Sequence, residues 1–275
     1  MRSGRTRNSI HLIAVGLVVA VGLLAAPSPA AAVDDLSLDY QTIKTPHFYV
    51  HYESRLEGFA RRVAQYAEEA HELLTPMLET EPSEPTHVIV NDQVDTSNGL
   101  ASVTGRNMIR IYAKPPDPDG VLGYYSDWLR ILVFHEYVHI LHLDTSGELV
   151  PWINKIIGSV LHPNGVLPRW YVEGLAVMYE SELTGTGRNH SSLFEMWLRT
   201  AALEGEFLSL GTVSGSPISW PQGTAAYLYG GYFLDYVKQK YGRKFATEFN
   251  KRYGRRLVPF ALNKTLESVV GETFH

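Results

Sequence analysis

The segment HEYVH at residues 135–139 constrains the fold of this chain most strongly, because it lies inside the apolar run 128–143. On a helix, residues four positions apart lie on one face, about one turn from each other. His135 and His139 could therefore bind one metal ion, with Glu136 beside it. The pattern predicts the metal-binding helix of a zinc hydrolase.

Composition limits which residues could hold that metal. The chain has 275 residues, is 45% hydrophobic and contains no cysteine. Its length allows a sizeable core in one or two domains, and its composition is that of an ordinary globular protein. Without cysteine there are no disulfides and no thiolate ligands. Any metal must be bound by His, Asp or Glu.

The first 32 residues have the pattern of a secretory signal. Arg2, Arg5 and Arg7 precede the apolar stretch 10–26, and small residues follow up to Ala32. This order predicts a signal peptide over residues 1–32 and an exported protein, periplasmic or extracellular. An uncleaved membrane anchor is the alternative, but the stretch is short for a bilayer span and contains two glycines. We expect no stable membrane span in the mature chain.

Positive charge is concentrated near the end of the sequence. Residues 238–264 contain nine Lys or Arg and a single acid, Glu248, within a chain of net charge −5. The basic residues are scattered over a helical pattern without interleaved aromatic residues, which favours a solvated helix face or a contact with an acidic neighbour. Nucleic acid is not an expected partner.

The order of predicted elements indicates an α+β fold. Residues 35–46 read as a connection, followed by strand, long amphipathic helix and further strands at 47–52, 55–79, 86–90, 100–103 and 107–112. The metal-binding helix comes next. We therefore expect a single domain over residues 33–275, with an α+β half (33–124) that contains a small mixed sheet and a mainly helical half (125–275).

The sequence of the helical half predicts several helices, a long loop and one apolar segment. A helix is predicted from Arg169, others over 191–205, 224–240 and 244–253, and a loop over 206–223. Between the metal-binding helix and Arg169 lies the apolar piece 150–161 (VPWINKIIGSVL). Core packing is the preferred interpretation of this piece, and a lid or membrane-touching patch is the alternative.

Catalytic zinc needs a third protein ligand beside two histidines. Glu173 is the best candidate, because it lies 34 residues beyond His139, which is enough for a connection and an antiparallel return helix. Gly174 next to it would allow two helices to approach closely. Asp144, Glu148, Glu180, His162 and His190 are the remaining candidates. His142 is more simply explained as a buried packing histidine behind the site.

Two segments together resemble a known family. HEYVH at 135–139 and WYVEGLA at 170–176 are similar to the signature HExxH and then WxxEGxA of the gluzincin, or peptidase MA-like, zinc metallopeptidases. Glu180 matches an acidic position of that group. The resemblance implies a thermolysin-like fold, Zn²⁺ on His135, His139 and Glu173, and Glu136 as general base.

The resemblance also implies a transition-state tyrosine in a Tyr-x-x-Gly context, which Tyr227 fits. Tyr229 and Tyr232 are alternatives, and a packed aromatic helix would explain the same residues. Aminopeptidases of the family carry an acidic residue in their edge segment, whereas the corresponding residues 98–103 contain none. This departure favours an endopeptidase.

A peptide or protein substrate is the expected partner, extended along a sheet-edge strand at 107–112. Two alternatives remain from the sequence: a non-catalytic binding domain that retains the fold, and hydrolysis of a non-peptide amide. Relatives with this domain often continue into a β-propeller, so a C-terminal domain of that kind is an expectation from the resemblance.

Overall fold

A computed structural model describes residues 38–215, 217–257 and 261–273. The chain divides into units 1–37 and 38–275, and the described residues belong to the second unit. The signal peptide predicted over residues 1–32 lies outside the described residues. Among those that are described, no helix is long and apolar enough to cross a membrane.

A five-stranded mixed sheet forms the first layer of the fold. Its strands are β1 (Tyr40–Lys44), β2 (Phe48–Glu53), β3 (Thr86–Asn91), β4 (Gly99–Ser102) and β5 (Met108–Tyr112). Their order in the sheet is β1-β2-β3-β5-β4. β2 pairs with β3 and β3 with β5 in parallel, whereas β1 and β4 are antiparallel edge strands.

The strand order corrects two sequence predictions. β1 lies in the segment predicted as a connection, because it is an exposed edge strand without a buried apolar face. The segment 107–112, predicted as the sheet edge, forms β5 between β3 and β4. The open edge on that side of the sheet is β4, the short strand that follows Asn98.

Two helices pack next to the sheet. α1 (Glu57–Leu78) buries one face, as its periodicity predicts. Asp127 is the N-cap of α2 (Trp128–Asp144). Its side chain accepts a hydrogen bond from Arg130 N and so satisfies one free amide of the first turn. The residues of α2 are buried from Leu129 to His142 apart from Arg130, since α1, the sheet and a later helix surround it. A helix buried nearly all round explains why its apolar residues are not confined to one face.

The rest of the described chain is helical. Its helices are α3 (Leu149–Ile157), α4 (Arg169–Thr184), α5 (Ser192–Leu203), α6 (Leu210–Val213), α7 (Ala225–Tyr241), α8 (Lys244–Gly254) and α9 (Leu262–Val270). The one-turn helix α6 lies inside the segment predicted as a loop. The predicted α+β class with a small mixed sheet and a mainly helical second half is confirmed.

Two glycines allow α4 and α7 to cross at close range. A Cβ on Gly174 would lie 2.4 Å from the carbonyl carbon of Gly230, and a Cβ on Gly230 would lie 2.0 Å from the carbonyl oxygen of Trp170. Any side chain at these positions would push the two backbones apart. Gly174 therefore serves a close approach, as expected, and the helix that approaches it is α7.

The apolar piece after α2 is not core. Only Val150 of α3 is buried, whereas Trp152 and Ile156 are 62% and 67% exposed. The core-packing interpretation of residues 150–161 is therefore wrong. Composition gave no information about which face of this helix another element would cover.

The basic segment near the C-terminus is paired within the chain. Lys238 and Arg243 bind Glu182, and Lys251 binds Glu79 at 2.9 Å. The Lys251–Glu79 pair lies at the surface and adds little stability, whereas the side chains of Lys238 and Glu182 are both largely buried. Of the two interpretations of the basic residues, contact with an acidic neighbour therefore applies to Lys238, Arg243 and Lys251.

Candidate metal centre

Three side chains converge between α2 and α4. His135 Nε2 and His139 Nε2 lie 3.1 Å apart, and each lies 3.3 Å from Glu173 Oε2. One turn of α2 separates the histidines, and α4 runs back past α2 to bring in the carboxylate. Within the described residues, these three form the only cluster of His, Asp or Glu ligand atoms close enough to hold one ion.

The triangle of ligand atoms matches a tetrahedral zinc site. Three ligands at about 2.0–2.1 Å from a tetrahedral ion are separated from one another by about 3.3 Å. Two imidazoles and one carboxylate are the ligand set of a catalytic zinc with one position left for water. The residues present therefore fit the metal that the sequence suggested.

The other candidate ligands lie elsewhere. Asp144 accepts hydrogen bonds from Ser83 and from Asn107 Nδ2. Glu148 and His190 are exposed, and His162 lies next to Ser159. Glu180 stands behind the triangle and makes no direct approach to its centre.

Glu180 orients the first histidine. Its Oε2 lies 2.7 Å from His135 Nδ1, which leaves Nε2 for the triangle. Arg188 donates to both oxygens of Glu180, from Nε and Nη2, at 2.8 Å each. Burial raises the pKa of Glu180, but Arg188 and His135 outweigh burial and hold that pKa below its ordinary value. Glu180 is therefore ionised and fixes the histidine ring.

The acidic partners also change the pKa values of the triangle. Burial and Arg188 oppose the charged imidazole, yet hydrogen bonds to Glu173 and Glu180 raise the pKa of His135 to about 9. Burial likewise opposes the charge of Glu173, and both histidines reverse the effect and lower its pKa well below the ordinary range. Metal binding must displace the imidazole proton, so metal affinity should fall as the pH falls.

Glu136 faces the same cleft from α2. It is 5% exposed, and burial raises the pKa of its carboxyl group. A Cβ on Gly99 of β4 would lie 2.6 Å from Glu136 Oε1, so this edge strand passes directly against the carboxylate. A glycine at 99 leaves the room that Glu136 occupies.

The structure separates the three candidate tyrosines. The ring of Tyr227 lies 5.9 Å from that of His135 and lines the cleft. Tyr229 and Tyr232 instead line an apolar pocket with Phe207, away from the triangle. Burial raises the pKa of Tyr227 to about 12, so its phenol keeps its proton at neutral pH.

Two arginines complete the cleft, and neither was singled out from the sequence. The guanidinium carbons of Arg188 and Arg169 lie 4.9 and 5.6 Å from the centre of the Tyr227 ring. The cleft has a volume of about 360 Å³ and is bounded by residues 98–101 on the side of β4. Arg169 directly precedes the Trp170 motif and could have been noticed. Arg188 lies in a glycine-flanked turn, where the sequence carries no signal of burial.

His142 is buried beside the site without belonging to it. Its ring packs against Tyr171 at 5.7 Å, and neither ring nitrogen has a hydrogen-bond partner among the described residues. Burial, with a smaller contribution from His139, lowers the pKa of His142 to about 3. This is the packing histidine that the sequence suggested.

We expect His142→Leu to weaken the acid sensitivity of folding. The unfolded chain takes up a proton at His142 below about pH 6.5, whereas the folded chain resists it down to about pH 3. Stability is therefore lost as the pH falls through this window, by up to about 1.4 kcal/mol per pH unit. The free energy of unfolding, measured with urea between pH 7 and 5 with chelator present, should depend less steeply on pH in the variant than in the wild type.

The exposed His190 provides the matched control for this measurement. His190→Leu should keep the slope of the wild type. An unchanged slope for His142→Leu would show that the His142 ring is not held neutral in the folded protein.

Sequence comparisons identify a distant relative of this chain. No family model matches the sequence. An uncharacterized protein of Treponema pallidum is 27% identical over 205 residues, which is 74% of this chain and 18% of that protein. The chain thus spans under a fifth of the length of this relative.

Comparison with solved structures finds similarity in fold. The structure of native yeast LTA4 hydrolase matches with a TM-score of 0.50 at 13% identity, over 84% of this chain and 35% of that chain. A structure of leukotriene A4 hydrolase from Saccharomyces cerevisiae gives a TM-score of 0.43 at 15% identity, over 84% and 36%. The first of these two matches shows that the fold is similar to part of native yeast LTA4 hydrolase.

Proposed function

We propose that this chain is a zinc metallopeptidase of the gluzincin type, with His135, His139 and Glu173 as zinc ligands. The observation that carries the proposal is the triangle of ligand atoms 3.1–3.3 Å apart, with Glu136 in the same cleft. The similarity of the fold to a yeast hydrolase supports the proposal independently of the sequence motif.

The residues around the metal have distinct roles in the proposed reaction. When bound, zinc would polarise a substrate carbonyl and bring the pKa of a coordinated water toward about 7. Glu136 accepts a proton from the attacking water and returns it to the leaving amine, and its raised pKa suits a group that must carry a proton between these steps. Tyr227 donates its hydroxyl proton in a hydrogen bond to the developing oxyanion.

The open edge of β4 is the proposed peptide-binding strand. It borders the cleft next to Glu136, and β5 on its other side leaves one edge free. An extended peptide would add to this edge through backbone hydrogen bonds. Residues 98–101 of the cleft carry no acidic side chain to hold a substrate amino terminus. An endopeptidase therefore fits better than an aminopeptidase.

The setting of the domain is also a proposal. The sequence pattern of residues 1–32 supports export to the periplasm or the outside of the cell. The Treponema relative is much longer than this chain, which is compatible with a further domain such as a β-propeller. Nucleic acid is not a proposed partner.

Purified protein tests the proposal through metal content and cleavage together. The expected result is one zinc per chain and digestion of an unstructured peptide library that stops on addition of a chelator and returns with zinc. Stoichiometric zinc without any cleavage would support the alternative of a non-catalytic peptide-binding domain. Absence of zinc binding would contradict the metallopeptidase and leave the non-catalytic binding domain, which does not require zinc.

Tyr227→Phe should lower kcat by about 10²–10³-fold, the typical effect of losing one oxyanion donor. KM and zinc content should change little, because the ring and its packing remain. Tyr229→Phe is the matched control, since Tyr229 lies on the same helix but faces the apolar pocket. Equal rates for Tyr227→Phe and wild type would exclude this tyrosine from the reaction.

A further inference from the structure

Helix α3 and the turn that follows it carry a row of exposed apolar side chains, here called the apolar stripe: Leu149, Trp152, Ile156 and Ile157 of α3, and Val160 beyond its end. Spacings of three and four residues place its first three members on one face of the helix. All five are among the exposed large hydrophobic residues, and none of the described helices or strands packs extensively against α3, of which only Val150 is buried. Monomeric soluble proteins rarely leave such a row without use.

Backbone groups in the turn after α3 form hydrogen bonds within the chain. Asn154 Oδ1 accepts hydrogen bonds from Leu161 N at 3.0 Å and Val160 N at 3.4 Å, and Asn154 Nδ2 donates to Leu161 O at 3.0 Å. The Ser159 carbonyl accepts from Gly105 N at 2.7 Å. An element that enters an apolar medium must pair these groups internally, because the medium offers no partner.

A lid over the metal centre does not fit this helix. No residue of α3 lines the cleft, which is bounded by α2, α4, α7 and the β4 edge. The loop after α3 is instead fixed to the turn between β4 and β5, through Ser159 and Gly105. The apolar stripe therefore points to an occupant outside the described chain.

Area and polarity argue against a second copy of this chain. The exposed parts of the stripe amount to roughly 500 Å², taking about 150–250 Å² for a large side chain. A stable protein interface needs about 800 Å² per partner and about one hydrogen bond per 100–200 Å². The only side-chain hydrogen-bond donor on the stripe is the Trp152 indole.

Lipid fits these features better. Trp is enriched where a bilayer meets water, since its ring is apolar and its N–H can remain hydrated. The five residues of the stripe are uncharged, Lys155 is the single charged residue of α3, and the chain carries a net charge of −5, so apolar burial must drive the contact. We propose that α3 inserts its apolar stripe into the interfacial region of a zwitterionic lipid bilayer.

The absence of cysteine allows a direct test on the full chain. Ile156→Cys, labelled with a polarity-sensitive fluorophore, should become several-fold brighter on addition of phosphatidylcholine vesicles and be quenched by spin-labelled lipid. The signal should survive 0.5 M salt, about the range in which electrostatic attraction is screened. Ile218→Cys, at a position 95% exposed and outside α3, is the control and should remain in water.

A double change, Trp152→Gln with Ile157→Gln, should raise the lipid concentration required at half signal by roughly a hundredfold or more, since two large apolar groups are lost. The label reports the position of α3 itself, so vesicle binding through residues 10–26 would leave it in water. A label at 156 that stays aqueous, with or without vesicle binding, overturns the proposal. A label that becomes apolar without lipid, with a doubled mass, would identify a second copy instead.

Discussion

Replacing Glu136 by glutamine should reduce peptide cleavage by about 10²–10⁴-fold, the usual contribution of a positioned general base. Glutamine keeps the size of the side chain against Gly99 but cannot accept the water proton. Zinc content should remain at one per chain, because Glu136 is outside the triangle of ligand atoms. The measurement is kcat/KM on one peptide, with metal analysis of the same sample.

Glu148→Gln provides the control for Glu136→Gln. Glu148 is an exposed acid beyond the end of α2, so its loss should alter neither zinc content nor rate. If Glu136→Gln cleaved at the wild-type rate, another group would be the base. If it lost zinc, the carboxylate would belong to the metal site, and the division of roles between Glu136 and Glu173 would be wrong.

Local geometry explains which parts of the site could be predicted from the sequence. His135 and His139 share a face because of the helical repeat alone, and the predicted helix over 128–143 matches α2. Glu173 could be named because a motif places it on a helix, and the structure brings its carboxylate to the two histidines. None of these inferences required knowledge of distant contacts.

The features that were missed depend on distant contacts. Strand order decides that β4 and not β5 borders the cleft, and a single sequence shows only that both segments can be strands. Arg188 is buried because Glu180 and Tyr227 surround it, and these neighbours come from two different helices. The exposure of α3 also depends on distant contacts. The sequence of an apolar helix is the same whether or not another element covers it.

Removal of Glu173 should have the largest effect on metal binding. Glu173→Ala leaves two imidazoles, whereas zinc sites in proteins need three or more ligands to hold the ion firmly. We expect the zinc affinity to fall by more than about 10²-fold, beyond the range typical of residues that only orient a ligand. A competition titration with a chromophoric chelator measures this change without any substrate.

Glu180→Gln separates a ligand from a residue that orients one. It keeps a hydrogen-bond acceptor next to His135 Nδ1 and should cost only about 10–100-fold in zinc affinity. Thermal unfolding gives a second measurement, because zinc at 100 times its Kd stabilises a folded protein by about 2.7 kcal/mol. This zinc-dependent shift of Tm should be present in Glu180→Gln at raised zinc and absent from Glu173→Ala. Full zinc occupancy in Glu173→Ala would show that another carboxylate completes the site, and Glu180, the nearest one behind His135, would then be the residue to test.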